Sequence, residues 1–316
     1  MAGKEPISGL KSEDLRAALA DALAGREQRL GELLARHGGL PGPTPNLALA
    51  AAFGEAIGTE GKGARRVLAT FAADPAKADD ARVFLAIAAS YGYAARLDAD
   101  ARDAWNGVFE LTADDRAPVR IGLIAALGAW AARAPGRVDR LVAEADGWLA
   151  HDDRDHRYAS AALVLDVIAE TRAIDGAEDR PALLAWIERT IEEVRDAPRA
   201  AERSPARRRI VASLPGALAH VAIAMRGEPD GIEWLRVRCT EATHPDVRAA
   251  IEQAIEKLRR GAGAQSSATI DMLRAALASS AKPPRDPSRI REGTGRGKQG
   301  KSAGGGTAKK GKSRSR

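Results

Sequence analysis

The stretch DDRAPVRIGLIAALGAW, residues 114–130, decides the fold. Two acids and a proline open a helix, and Val119, Leu123, Leu127 and Trp130 then recur at three- and four-residue spacing. The same phrase returns as DDRDHRYASAALVLDVI (152–168) and HPDVRAAIEQAIEKL (244–258), with DDARVFLAIAASYGY (79–93) as a looser copy. Each copy gives a polar, acidic turn, then an arginine (Arg120, Arg157, Arg248), then small and branched apolar residues at helical spacing. Starts near 80, 115, 153, 204 and 244 are 35, 38, 51 and 40 residues apart. A period of about 35–45 residues with two helices in each predicts an all-α fold, an α-solenoid of stacked antiparallel helix pairs.

Composition agrees. Of 316 residues 45% are hydrophobic and only 4% aromatic, so the apolar fraction is mostly alanine, which favours helix over strand. The first helix opens at Ser12, carries Leu15, Leu19, Leu23, Leu30, Leu33 and Leu34 on one face, and stops at His37-Gly38-Gly39. After the rigid connector PGPTP (41–45), helical segments are expected near 46–57, 62–73, 80–97, 100–111, 116–134, 138–150, 156–173, 179–196, 202–225, 230–241, 245–260 and 268–280. Three parts follow: an N-terminal helix and connector (1–45), a helical repeat array (46–281) and a tail (282–316).

Asp-x-x-x-Val-Arg at 115–120 and His-Pro-Asp-Val-Arg at 244–248 resemble the turn and second-helix start of HEAT or HEAT-like repeats, over roughly residues 46–280. In that family the turn Asp and helix Arg form a ladder between repeats, and the second helices line a concave face. The resemblance implies ladder roles for Asp115 and Arg120, Asp152 and Arg157, and Asp246 and Arg248. It is weakest at 202–225, which has no turn Asp and places Pro215 inside a helix.

The net charge of +6 divides unevenly: residues 282–316 alone carry +10 and residues 1–281 carry −4. The tail is rich in Gly, Ser, Lys and Arg with Ile290 as its one strongly apolar residue, so it is expected to be disordered. It is expected to meet nucleic acid or another polyanion without sequence preference, through Lys298, Lys301, Lys309, Lys310, Lys312, Arg314 and Arg316. Inside the body, six arginines between Arg195 and Arg209 against Asp196 and Glu202 coincide with the longest repeat spacing. A long exposed loop is expected there, with Arg203, Arg207, Arg208 and Arg209 as candidate phosphate contacts.

Patterns for catalysis are absent: there is no H-E-x-x-H, G-x-S-x-G or C-x-x-C. Gly61-Lys62 ends no phosphate loop, because Gly63 stands where Ser or Thr is needed. His151, Asp152, Asp153, Asp155 and His156 have metal-ligand chemistry, yet they align with a repeat turn, where acids cap the next helix. Trp105, Trp148, Trp186 and Trp234 fall in first helices, as a stacking surface or, more simply, as packing residues. A single cysteine, Cys239, excludes a disulfide framework. No secretory leader or membrane span is read, so a cytoplasmic protein is expected.

These features predict a non-enzymatic scaffold, without cofactor or metal, that binds a protein on its concave face and attaches to DNA or RNA through its tail. The alternative is a nucleic-acid-binding or DNA-repair protein resembling the HEAT-like alkylpurine DNA glycosylases.

Overall fold

The computed structural model describes residues 12–99, 101–225, 227, 230–261 and 265–280, and the tail with its seven basic candidates lies outside the described residues. Among the described residues there are fourteen α-helices and no strand. In order they are α1 (Ser12–Leu23), α2 (Gln28–His37), α3 (Leu47–Gly58), α4 (Lys62–Ala72), α5 (Phe84–Arg96), α6 (Ala101–Thr112) and α7 (Ala117–Ala131). There follow α8 (Arg137–Leu149), α9 (Arg154–Glu170), α10 (Arg180–Arg195), α11 (Pro205–Ala224), α12 (Gly231–Glu241), α13 (Pro245–Arg260) and α14 (Ser267–Ser279).

Odd-numbered helices from α3 to α13 stack side by side as an inner layer. The even-numbered helices cover that layer on its outer side, each leaning on an inner neighbour. Inner helices start where the repeated phrase places them, because the turn residues cap them. Asp153 accepts from the Asp155 and His156 backbone N–H groups at 2.9 and 3.4 Å. Proline occupies the first turn of α7, α11 and α13, where its missing N–H costs nothing.

The layers explain the alanine. Every residue from Tyr158 to Leu165 in α9 is buried, so this helix has no polar face at its centre. It packs most closely on α11: a Cβ at Gly216 would stand 2.9 Å from the Ala169 Cβ. Small residues let two helices approach this far, and the tryptophans fill the wider gaps between the layers. All five are buried, and Trp105 meets Trp130 edge-on at 5.5 Å and Trp148 at 6.0 Å between centroids. The packing role therefore holds for them.

Two sequence expectations are corrected. The helix read from Ser12 to His37 is two helices, broken at Gly25 with φ +97°, a conformation that favours glycine. The leucine pattern runs on across the break, which hides it. Both helices pack on the array, through α4 and α5. The second correction concerns 195–209, which is not a long loop. Arg199–Arg203 forms a 3-10 turn and α11 begins at Pro205, running unbroken past a buried Pro215.

Leu127 and Leu163 lie in inner helices at 0% and 3% exposure. Replacing either with alanine should cost about 2–5 kcal/mol, read from urea unfolding followed by far-UV circular dichroism. A loss below about half a kcal/mol would place these helices the wrong way round.

Candidate functional site: the inner face and its arginines

Arginine holds the repeats together, but by a different pairing than the family resemblance implies. Arg120 donates to the Asp115 carbonyl at 2.6 Å and the Asp114 carbonyl at 3.2 Å, not to the Asp115 carboxylate. Arg157 donates to the His151 carbonyl at 2.6 Å and faces Glu193, while Asp152 stands exposed. Asp246 does serve a ladder, yet its partner is Arg207 of the preceding repeat, at 2.8 Å. Arg248 reaches the Ser280 hydroxyl and Glu252. Backbone carbonyls at the exits of the outer helices are thus the main acceptors. Arg116, which the sequence pattern passes over, is the clearest case: it donates to the Asp74 and Ala76 carbonyls of the preceding repeat at 2.8 and 2.9 Å.

This removes Arg207 from the candidate phosphate contacts. Its side chain is 6% exposed and is spent on the Val194 carbonyl and Asp246. Arg209 is also turned inward. It reaches across α9 to the turn before α7, 3.4 Å from both the Asp114 carbonyl and the Asp115 carboxylate. Burial and the neighbouring Arg120 hold its guanidinium below the usual arginine value. Only Arg203 and Arg208 of the four stand exposed, and Arg208 donates back to the Arg203 carbonyl.

Arg209 thus links α11 to the turn before α7, across the intervening inner helix α9. Beside this clasp lies a candidate trough, a strip of exposed and half-buried side chains on the inner helices. One wall is the α7 row Ile121, Ala125 and Ala129, with Ile121 52% exposed, and the other is the α11 row Ala212, Gly216 and His220. Asp166 and Glu170 of α9 form the floor. The Asp166 carboxyl is pushed up to about 6 by burial and by Glu170, against the opposing pull of the nearby Ser213 hydroxyl and of Arg120. Nothing in the repeat pattern singles out Asp166. An acid inside the apolar run Leu163-Val164-Leu165-Asp166-Val167-Ile168 is the signal that could have found it.

The turn cluster 151–156 is a cap. His151 Nδ1 accepts from the Asp153 N–H at 3.2 Å, Asp155 accepts from the Ser204 hydroxyl at 2.6 Å, and His156 stacks on Phe109 at 4.0 Å. Among the described residues no group of three His, Cys, Asp or Glu side chains converges as metal ligands would. Cys239 is fully buried, and burial pushes its thiol up to about 11. Among the described residues no helix is long and apolar enough to cross a membrane. No protein-family model, curated protein or solved structure matches the chain.

Asp166 makes a signed prediction. Its folded pKa lies above the unfolded value of 3.8, so its contribution favours folding at low pH and is lost as pH rises through about 6. Asp166→Asn should therefore gain about 1–2 kcal/mol over the parent at pH 7.5, after a discount for partial exposure, and the gain should vanish near pH 4. Urea midpoints at several pH values check this, and a gain that is independent of pH would refute it.

Proposed function

We propose that this chain is a non-enzymatic, HEAT-like scaffold that binds a protein partner in the trough of its inner face, with the basic tail adding attachment to nucleic acid or another polyanion. The observation that carries the reading is the exposed apolar strip on α7 and α11. A large exposed isoleucine on α7, flanked by alanines and faced by Ala212 and Gly216, is apolar surface that water does not favour and a partner side chain would cover. The arginines support the same reading from the other side. Arg207 and Arg209 serve protein acceptors, and the body carries a net −4, which is poor provision for a phosphate backbone. The DNA-repair alternative would call for aromatic side chains on the face, and every tryptophan is buried.

The test compares the full chain, the double variant Ile121→Arg/Ala212→Arg, and a deletion of 282–316. Affinity capture with mass spectrometry should recover specific partners with the full chain and the deletion but not with the double variant. Duplex DNA binding should show the opposite dependence, with log affinity falling against log salt at a slope of about −5 to −9 in the full chain and no binding in the deletion. Equal partner recovery by all three proteins removes the trough from the mechanism. Equal DNA binding by all three removes the tail.

A further inference from the structure

On the other side of α9 from the trough lies an open cleft of about 520 Å³, bounded by the exit of α8, the first turns of α9 and the last turns of α10. Three polar groups on its α9 wall lack the partners that buried or charged groups ordinarily find. Tyr158 is 1% exposed and lines the cleft, where its hydroxyl reaches the open space without a hydrogen bond among the described residues. Arg157 sends one nitrogen to the His151 carbonyl, while its buried Nε is left without a hydrogen bond, 3.6 Å from Glu193. Arg154 stands one turn earlier with no ion pair among the described residues. Burial, and after it Glu193, raises the Tyr158 phenol above its usual value, so near neutral pH it stays protonated and able to donate.

The opposite wall carries the other sign. Glu192 and Glu193 line it from α10, with Leu149 and Pro198 between the walls as an apolar floor. Glu192 is held only loosely, 3.8 Å from Arg195, and its side chain is 54% exposed. The neighbouring Asp146 is already taken by Arg189. A purely anionic ligand would be drawn to Tyr158 and the two arginines but repelled by the glutamates. A purely cationic one would meet the reverse. Only a molecule carrying both signs a few bonds apart satisfies both walls.

We propose that this cleft binds a free amino acid as its zwitterion. The carboxylate accepts from the Tyr158 hydroxyl and from Arg154 and Arg157, the ammonium donates to Glu192 and Glu193, and the side chain lies over Leu149. Arg157 then completes its hydrogen bonding without leaving the His151 carbonyl. The site is separate from the trough, so its failure says nothing about the scaffold reading.

Titration calorimetry on the full chain tests this with the twenty common amino acids, and with N-acetyl-L-leucine and L-leucinamide as singly charged controls. At least one amino acid, leucine first in view of the apolar floor, should bind with Kd below about 1 mM. Removing either charge from leucine should weaken binding roughly ten-fold or more, the loss expected for a charged hydrogen bond. Tyr158→Phe, which keeps the buried ring, and Arg154→Ala, on the surface, should each weaken it several-fold without lowering the melting temperature. If none of the twenty binds below about 10 mM, the proposal is wrong. It is equally wrong if N-acetyl-L-leucine or L-leucinamide binds as tightly as leucine, or if Tyr158→Phe and Arg154→Ala leave affinity unchanged.

Discussion

A helix ends with carbonyls that have no donor of their own, and a stack of many short helices accumulates such ends along both edges. In this chain they are closed by guanidinium groups. Arg66 donates to the Ala22 and Leu23 carbonyls at the end of α1, at 2.7 and 3.2 Å. Arg96, 7% exposed, closes α3 through the Ile57 and Glu60 carbonyls. Arg140 and Arg137 do the same for α5 and α7 through Leu97 and Trp130, and both also hold Asp98. Along the opposite edge Arg116, Arg120, Arg157 and Arg207 serve the exits of α4, α6, α8 and α10. The positive charge also meets the negative end of each helix dipole. Because many of these donors belong to a different repeat from their acceptors, the bond that finishes one helix pair also registers the next.

That constraint explains why residues 1–281 hold thirty-two arginines and only five lysines. An ammonium offers a compact point charge, whereas the planar fork reaches two carbonyls, or a carbonyl and a carboxylate, at once. It also explains why a high isoelectric point misleads as a guide to partners. Charge that is spent on helix ends is not available to a phosphate backbone, so a basic count and a basic surface are different quantities here. Arg209, reaching over α9 to the α6–α7 turn, ties α11 to a turn two inner helices away.

How far the sequence foretold this can be argued residue by residue. Most of the helices and the inner-helix starts were legible in the recurring acidic turn, arginine and apolar row, since capping chemistry and a 3.6-residue period are local. The break at Gly25 was not, because Leu23 and Leu30 keep the same face on either side of it. The arginines could be placed near turns, but a linear pattern does not tell whether a guanidinium finds the carboxylate of its own turn or the carbonyl of another. Arg207 shows the cost of that ambiguity: in sequence it is one of three adjacent surface-like cations, and in the fold it is a buried strut to Asp246. Tyr158 and Asp166 were invisible for the opposite reason. Nothing about them is periodic; their character comes from what surrounds them in three dimensions.

Both of those residues sit on α9, at the two ends of its buried stretch, and the burial ties them together physically. A side chain at a helix end or in a loop can swing toward water when its polar group lacks a partner. Tyr158 and Asp166 are fixed to a helix packed by α8, α7 and α11, with Gly216 against Ala169 leaving no slack on one side. The phenol therefore keeps its unpaired hydroxyl at the cleft, and the carboxyl keeps its raised proton affinity on the trough floor. Each carries a desolvation cost that a substitution to an apolar residue would remove, so neither is explained by stability alone. The same close packing that lets an alanine-rich chain fold thus holds polar groups in positions where a ligand or partner, once bound, would lower the free energy by completing their bonds.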